Sequence, residues 1–363
     1  MKKLCIAPFT EETYPLIEYL KNIYVIEALA APMGIGIEGE DVSVLRNTNP
    51  IGFCFTNSLE KAICRSEVVI IPDISKAQKS LRAYAWEALQ LSSQNGKEVL
   101  CFLELSDLEI ETIKQISLEN GGRLDLLSEP EDYDVNFTEA LRLNQINIPV
   151  FYISESIPGC DGYDVFLKLA DGLRNSGKNV LAISENCYNT ILGFDFIKIG
   201  AKLEIRDQIF RFNMLVYNLL QQKKPDVILI LNPQPMFKYD EANPFDCGGT
   251  AFIASQAVVG DGCIFCSHAK AFPVETWEAI NDVIYSKFGY PVIGVHVSNR
   301  MIDITGGADL TTICIPTQEV SSEVELRNKN STLPFCQLLE KTDFDKFNKE
   351  LYKIYFNLPY GVI

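Results

Sequence analysis

The segment Ser154-Glu155-Ser156-Ile157-Pro158-Gly159-Cys160-Asp161-Gly162-Tyr163-Asp164 joins an apolar, strand-like run to a helix-like one. That is the position of a phosphate loop, where backbone N–H groups and a helix N-terminus together cradle an anion. Phosphate-loop spacing sets one glycine about five residues ahead of the glycine in Gly-Lys-Ser/Thr. With Gly162 as that second glycine, Ile157 takes the first position, Tyr163 replaces Lys and Asp164 replaces Ser/Thr. The cation for the β/γ-phosphates is missing, and a carboxylate stands where a magnesium-binding hydroxyl belongs. ATP hydrolysis of the usual kind is therefore not expected. Gly159, Cys160, Asp161, Gly162 and Asp164 remain candidates for holding a smaller or less charged ligand, beside the simpler reading of a plain strand-to-helix turn.

A second candidate region runs from Asn232 to Gly249, after the apolar run Val227-Ile228-Leu229-Ile230-Leu231. Loops longer than about 12–15 residues are uncommon in compact domains and often functional. In a parallel sheet this loop and the Gly159–Asp164 loop both emerge at the carboxyl edge, where open α/β sheets bind ligands. Asn232 occupies the strand end where a nucleotide hydrolase would carry an acid. Asn232, Asp246, Gly248 and Gly249 are candidate ligand contacts; alternatively, Asp246 and the two glycines cap the apolar helix that follows.

Three other patterns carry less. Gly34-Ile35-Gly36-Ile37-Glu38-Gly39 fits G-x-G-x-x-G, but it follows the second strand rather than the first. Glu38, Glu40 and Asp41 would place carboxylates against a pyrophosphate, so a glycine-rich connection is the better reading. Cys263 and Cys266 are three apart in a strand-like run and would face opposite sides of a sheet, and no second such pair exists. No metal site is expected. A cysteine nucleophile served by His268 or His296, the chain's two histidines, stays open for Cys160, Cys187 and Cys247, with no spacing to single one out.

These loops need elements to position them. Strand-like runs at 4–9, 24–30, 51–55, 68–71, 99–103 and 123–127 alternate with helical patterns at 59–64, 77–91 and 108–118. Asn95-Gly96 and Asn120-Gly121-Gly122 are helix stops. Continuous apolar strands separated by helices imply a mainly parallel sheet covered on both faces. After the acidic stretch 128–134 the pattern restarts: strands at 149–153, 180–183, 227–231, 263–266, 292–297 and 312–315, helices near 165–173 and 208–220. Phe344, Phe347, Leu351, Ile354, Tyr355 and Leu358 form a helical stripe expected to dock on its own domain. The expectation is an α/β protein of two domains, 1–145 Rossmann-like and 146–363 P-loop-like, each a mainly parallel sheet flanked by helices.

At 363 residues the chain exceeds one ordinary core, and 47% hydrophobic with 22% charged residues is globular composition. No apolar run approaches the ~18 residues of a membrane span. A net charge of −16 without Lys/Arg clusters argues against nucleic acid. Eleven scattered cysteines fit a reduced, cytoplasmic protein better than a disulfide framework.

Several of these segments occur in one order: Gly34-Ile35-Gly36 with Gly39-Glu40-Asp41-Val42-Ser43, Val150, Leu192-Gly193-Phe194-Asp195, Lys224-Pro225-Asp226-Val227, the proline-rich loop, and Tyr285-Ser286-Lys287-Phe288-Gly289-Tyr290. Over nearly its full length the chain resembles the peptide-maturation-system proteins of clostridia. Its second half is similar in outline to P-loop NTPases of the signal-recognition and dethiobiotin-synthetase class, with a degenerate phosphate loop. Asn232-Pro233-Gln234-Pro235 departs from the glycine-rich loop of the relatives. The first resemblance implies a gene neighbourhood of small cysteine-rich peptides and a radical SAM peptide maturase. It implies an accessory protein that binds precursor peptide, maturase or a small ligand; it carries over no catalytic residue and no cofactor. The alternative is a nucleotide- or anion-binding enzyme using the two loops above.

Overall fold

Val-Val-Ile-Ile at 68–71 and Val-Ile-Leu-Ile-Leu at 227–231 are β-branched or aliphatic at every position and buried at every position. Such strands are covered on both faces, and each lies inside a parallel sheet. The computed structural model describes every residue except 47, 75–78, 130–141, 200–202, 239–245, 269–271, 304–312, 317–323, 325–326, 328–330 and 357–363. The acidic stretch expected between the halves thus lies, over 130–134, outside the described residues, as do 239–245 of the proline-rich loop and Leu358 of the terminal stripe.

The first sheet contains β1 (Lys3–Ile6), β2 (Val25–Ala30), β3 (Phe55–Thr56), β4 (Val68–Ile71), β5 (Glu98–Cys101) and β6 (Arg123–Leu126). Their order is β3-β2-β1-β4-β5-β6, and every pairing is parallel. The connecting helices are α1 (Leu16–Leu20), α2 (Leu59–Arg65), α3 (Lys79–Gln94) and α4 (Asp107–Glu119). Ser106 and Glu109 form a reciprocal capping box at the start of α4: Ser106 N–H donates to Glu109 at 2.8 Å. Cys5, Val69, Ile71, Val99 and Cys101 pack with Ile63, Ala85, Leu89 and Ile113 in this core.

The second sheet contains β7 (Val150–Glu155), β8 (Val180–Ser184), β9 (Asp195–Phe196), β10 (Val227–Leu231), β11 (Gly262–His268) and β12 (Val292–Ser298). The strands at 300–303 and 313–316, β13 (Arg300–Asp303) and β14 (Ile313–Pro316), leave the sheet and form an antiparallel ribbon. With β15 (Phe335–Cys336) the sheet order is β15-β12-β11-β7-β10-β8-β9, parallel throughout. The helices in this stretch of chain are α5 (Gly162–Asn175), α6 (Asn189–Leu192), α7 (Ile205–Lys223), α8 (Gly249–Ala257), α9 (Trp277–Phe288) and α10 (Lys341–Tyr355). One face packs Tyr152, Ile230, Cys263, Phe265 and Val295 with Phe212, Val216, Ala254, Trp277 and Ile284 from α7, α8 and α9. Alternation along the strands turns Phe151, Ile153 and Glu155 to the other face, that of α5 and α10. There the Tyr355 ring meets Phe151 edge-on at 4.8 Å, and Phe344 closes against Gly172 of α5.

The chain divides into two units, Met1–Pro130 with Thr190–Gly193, and Glu131–Asn189 with Phe194–Ile363. The class is α/β, with two parallel sheets of six and seven strands flanked by helices. Among the described residues no helix is long and apolar enough to cross a membrane.

Candidate functional site at the carboxyl edge of the second sheet

β7 and β10 are neighbours, but their connections diverge: β7 leads to α5 on one face, β10 to α8 on the other. That divergence opens the carboxyl-edge crevice in which α/β sheets hold ligands. Two backbone bonds tie the loops together there, Met236 N–H to the Glu155 carbonyl at 2.9 Å and Phe237 N–H to the Ser156 carbonyl at 3.1 Å.

The β7–α5 loop has phosphate-loop curvature, with Gly159 at φ 78° and Asp161 at φ 65°, both left-handed, ahead of the first helical residue Gly162. Its anion position is filled from within. Glu155 Oε1 accepts the Gly162 N–H at 2.8 Å. A Cβ on residue 162 would stand 2.7 Å from Glu155 Cγ, so glycine is what lets the carboxyl approach. Burial pushes the Glu155 carboxyl up to about 7; Asp161 and Asp164 add to the rise, and the Gly162 and Cys160 N–H groups oppose it.

Asp161, buried, is bonded by Arg300 and by His296. Its Oδ1 accepts Arg300 Nε at 2.9 Å and its Oδ2 lies 3.3 Å from His296 Nε2. His296 Nδ1 accepts the Leu338 N–H at 3.0 Å, so that nitrogen carries no proton and Nε2–H is the donor to Asp161. His268, the last residue of β11, sets Nδ1 against the Arg300 carbonyl. A carbonyl only accepts, which places the His268 proton on Nδ1 and leaves Nε2 a lone pair; that buried atom has no hydrogen-bond partner among the described residues. Burial lowers the His268 pKa, keeping the ring neutral. The Pro158 carbonyl and Asp161 oppose that shift, though the carbonyl makes no hydrogen bond of normal geometry with Nε2.

Cys160 is buried in the same loop, 3.6 Å from the Ser156 hydroxyl, and burial raises its thiol pKa well above the ordinary value. A nucleophilic cysteine needs the opposite shift.

Of the residues expected to bind ligand, Gly159, Cys160, Asp161 and Gly162 share this loop, and Asp164 lies in the first turn of α5. Asn232 belongs to the other face: its amide donates to Ser154 Oγ at 2.7 Å and lies 3.4 Å from the Tyr290 hydroxyl, and its Oδ1 is buried without a partner. Asp246, Gly248 and Gly249 build the start of α8. Asp246 accepts from Gly248 N at 2.9 Å and Thr250 N at 2.8 Å, and Gly248 turns at φ 72°.

Sequence reasoning passed over Glu155, Arg300, the bond of His296 to Asp161 and that of His268 to the Arg300 carbonyl. The available signal was position: the strand expected at 263–266 runs on to His268, and His296 lies near the end of the one at 292–297. Arg300 follows Ser298-Asn299 with no pattern of its own.

Sheet and loop together define an α/β protein with Rossmann-like and P-loop-like halves. No protein-family model matches the chain, and no curated protein matches it. Its structure is similar to that of a DUF1611 family protein from Anabaena variabilis, at 12% identity and a TM-score of 0.64, over 97% of this chain and 99% of that one. It is also similar to cobyrinic acid a,c-diamide synthase from Mycobacterium smegmatis with bound ADP and magnesium, at 12% identity and a TM-score of 0.36, over 60% of this chain and 100% of that one. The MinD cell division protein of Aquifex aeolicus follows at 15% identity and 0.31, over 58% and 100%. At such identities the likeness is one of fold and transfers no residue.

Proposed function

We propose that the chain is a binding protein of a peptide-maturation system rather than a nucleoside-triphosphate hydrolase. Its partner would be the precursor of a ribosomally made cysteine-rich peptide, or the radical SAM maturase that acts on it. The observation that carries the negative half is the Glu155 carboxyl on the Gly162 N–H: a triphosphate would have to displace it, and Tyr163 supplies no cation to compensate. The partner half rests on the family resemblance, and a net charge of −16 favours a basic leader segment at low salt.

The test is a pull-down and a titration of the full chain with precursor peptide and with maturase at two ionic strengths. Binding in the micromolar range is expected, about −8 kcal/mol, weakening as salt rises, with no saturable binding of magnesium-ATP. Magnesium-dependent ATP turnover that Gly162→Ala abolishes would overturn the reading. A second reading, a nucleotide- or anion-binding enzyme at the same edge, is favoured by one observation: His296 and Arg300 both bond buried Asp161, and His268 bonds the Arg300 carbonyl beside them.

A further inference from the structure

The segment 142–148 leads into the amino end of β7, away from Glu155 and Asp161, and runs beside the later turns of α7. Asn213, Tyr217 and Leu220 follow one another at four and three residues, so they share one stripe of that helix. Asn213 is 2% exposed and fastens the segment at one point. Its Oδ1 accepts the Asn144 N–H at 2.8 Å, and its amide donates to the Asn144 carbonyl at 3.0 Å and the Ala257 carbonyl at 2.9 Å. Ile146 and Ile148 pack on the core and hold the segment at a second. Between segment and helix lies a hollow of about 640 Å³, inside the roughly 300–1,000 Å³ of small-molecule sites. Its lining includes Arg142, Gln145 and Asn147 from the segment and Tyr217, Leu220 and Gln221 from α7, all in one unit of the chain.

We propose that this hollow binds a carboxylate with an amide next to it, the pattern of an N-acylated amino acid or of a peptide's C-terminus. Three lining side chains, Gln145, Asn147 and Gln221, are carboxamides, each able to donate and accept at once. A peptide group has one donor and one acceptor and is their complement. Among the described residues of the lining, Arg142 is the one cation, and no Asp or Glu accompanies it. Its planar fork meets a carboxylate through two parallel bonds, and one guanidinium balances one negative charge. A phosphate dianion would call for more. Among the described residues, neither these four side chains nor the Tyr217 hydroxyl has an internal hydrogen bond or ion pair to give up. Leu220 and the Tyr217 ring supply an apolar wall for the ligand's own side chain. The inference goes beyond the peptide-maturation reading and stands without it.

Acetyl-leucine is the probe, and acetyl-leucinamide its match without the charge. Calorimetric titration of the full chain should show saturable binding of acetyl-leucine, with the amide roughly tenfold weaker for want of the charge-assisted pair. Arg142→Gln should bring the two ligands to equal affinity. Arg142 is exposed and bonds nothing among the described residues, so the urea midpoint should stay where it is. Arg206→Gln removes the same charge from the exposed start of α7 and should leave the preference intact, which separates the site from the net charge. A leucine-ended hexapeptide tells the source of the group: competition with acetyl-leucine assigns a peptide C-terminus, exclusion an N-acylated amino acid. If Arg142→Gln fails to fold, the acid-to-amide ratio of the unaltered chain decides alone. No saturable binding, or equal affinity of the parent for acid and amide, overturns the proposal. So does a preference that survives Arg142→Gln or is lost equally in Arg206→Gln. Failure of the precursor pull-down touches none of these outcomes, so the two readings fail separately.

Discussion

Glu155 sits where a phosphate-binding loop would receive phosphate oxygen, and its own titration is the consequence. Its folded-state pKa of about 7 stands above the ordinary carboxyl value of 4.5. The folded chain therefore holds this proton over a pH range in which the unfolded chain has released it. The stabilisation is complete below the unfolded value and is lost as pH rises through about 7. Glu155 keeps some surface, so the effect is on the order of 2 kcal/mol rather than the full shift. Glu155→Gln keeps an acceptor for the Gly162 N–H and removes the charge. It should be more stable than the parent at pH ~8, with the gap closing toward pH ~5, in urea melts across that range. A constant gap would show that the carboxyl does not titrate in this window. Gly162 was legible from its place in a loop pattern; Glu155 was not, because a polar residue closing an apolar run looks like the end of a strand. In the fold the side chain doubles back onto the helix start seven residues on, a contact that no sequence pattern encodes.

At the level of elements, pattern reading worked where runs were long. The strands at 68–71 and 227–231 fall where expected, and α4 extends its expected span by one residue at each end. It failed where an element is short or amphipathically mixed. β9 and β15 have two residues each, too few for any period, and the strand expected at 51–55 survives only as Phe55–Thr56. α9 escaped notice because exposed Val283 and Tyr285 interrupt its buried stripe of Trp277, Ile280, Ile284 and Phe288. The terminal stripe did specify α10, and its docking has a definite fit. A Cβ on residue 172 would stand 2.5 Å from the ring of Phe344, itself buried. Gly172→Val should cost roughly 1–3 kcal/mol by overpacking. Adding Phe344→Ala should restore part of that loss, because the two changes share one contact; a thermodynamic cycle measures the coupling. Strict additivity would mean that α10 does not rest on α5 in solution.

Across the whole molecule, every strand of the first sheet comes from residues before 127 and every strand of the second from residues after 149. Each unit has its own apolar cluster. We propose that 1–145 and 146–363 fold independently. Produced separately, each should unfold cooperatively in urea; a segment 146–363 without a cooperative transition would argue for a single folding unit. The two sheets are open rather than closed, so together they end in four edge strands: β3 and β6 in one, β15 and β9 in the other. An open edge is a row of unmet N–H and C=O groups on which a foreign strand can grow. Here three of the four edges are two residues long, and the fourth, β6, carries the Arg123–Asp125 ion pair at 2.9 Å. Thirteen strands' worth of ladder in these two sheets thus terminates in three two-residue edges and one of four residues. Growth of a foreign strand on either of these two parallel sheets would therefore have only a few backbone groups to start from.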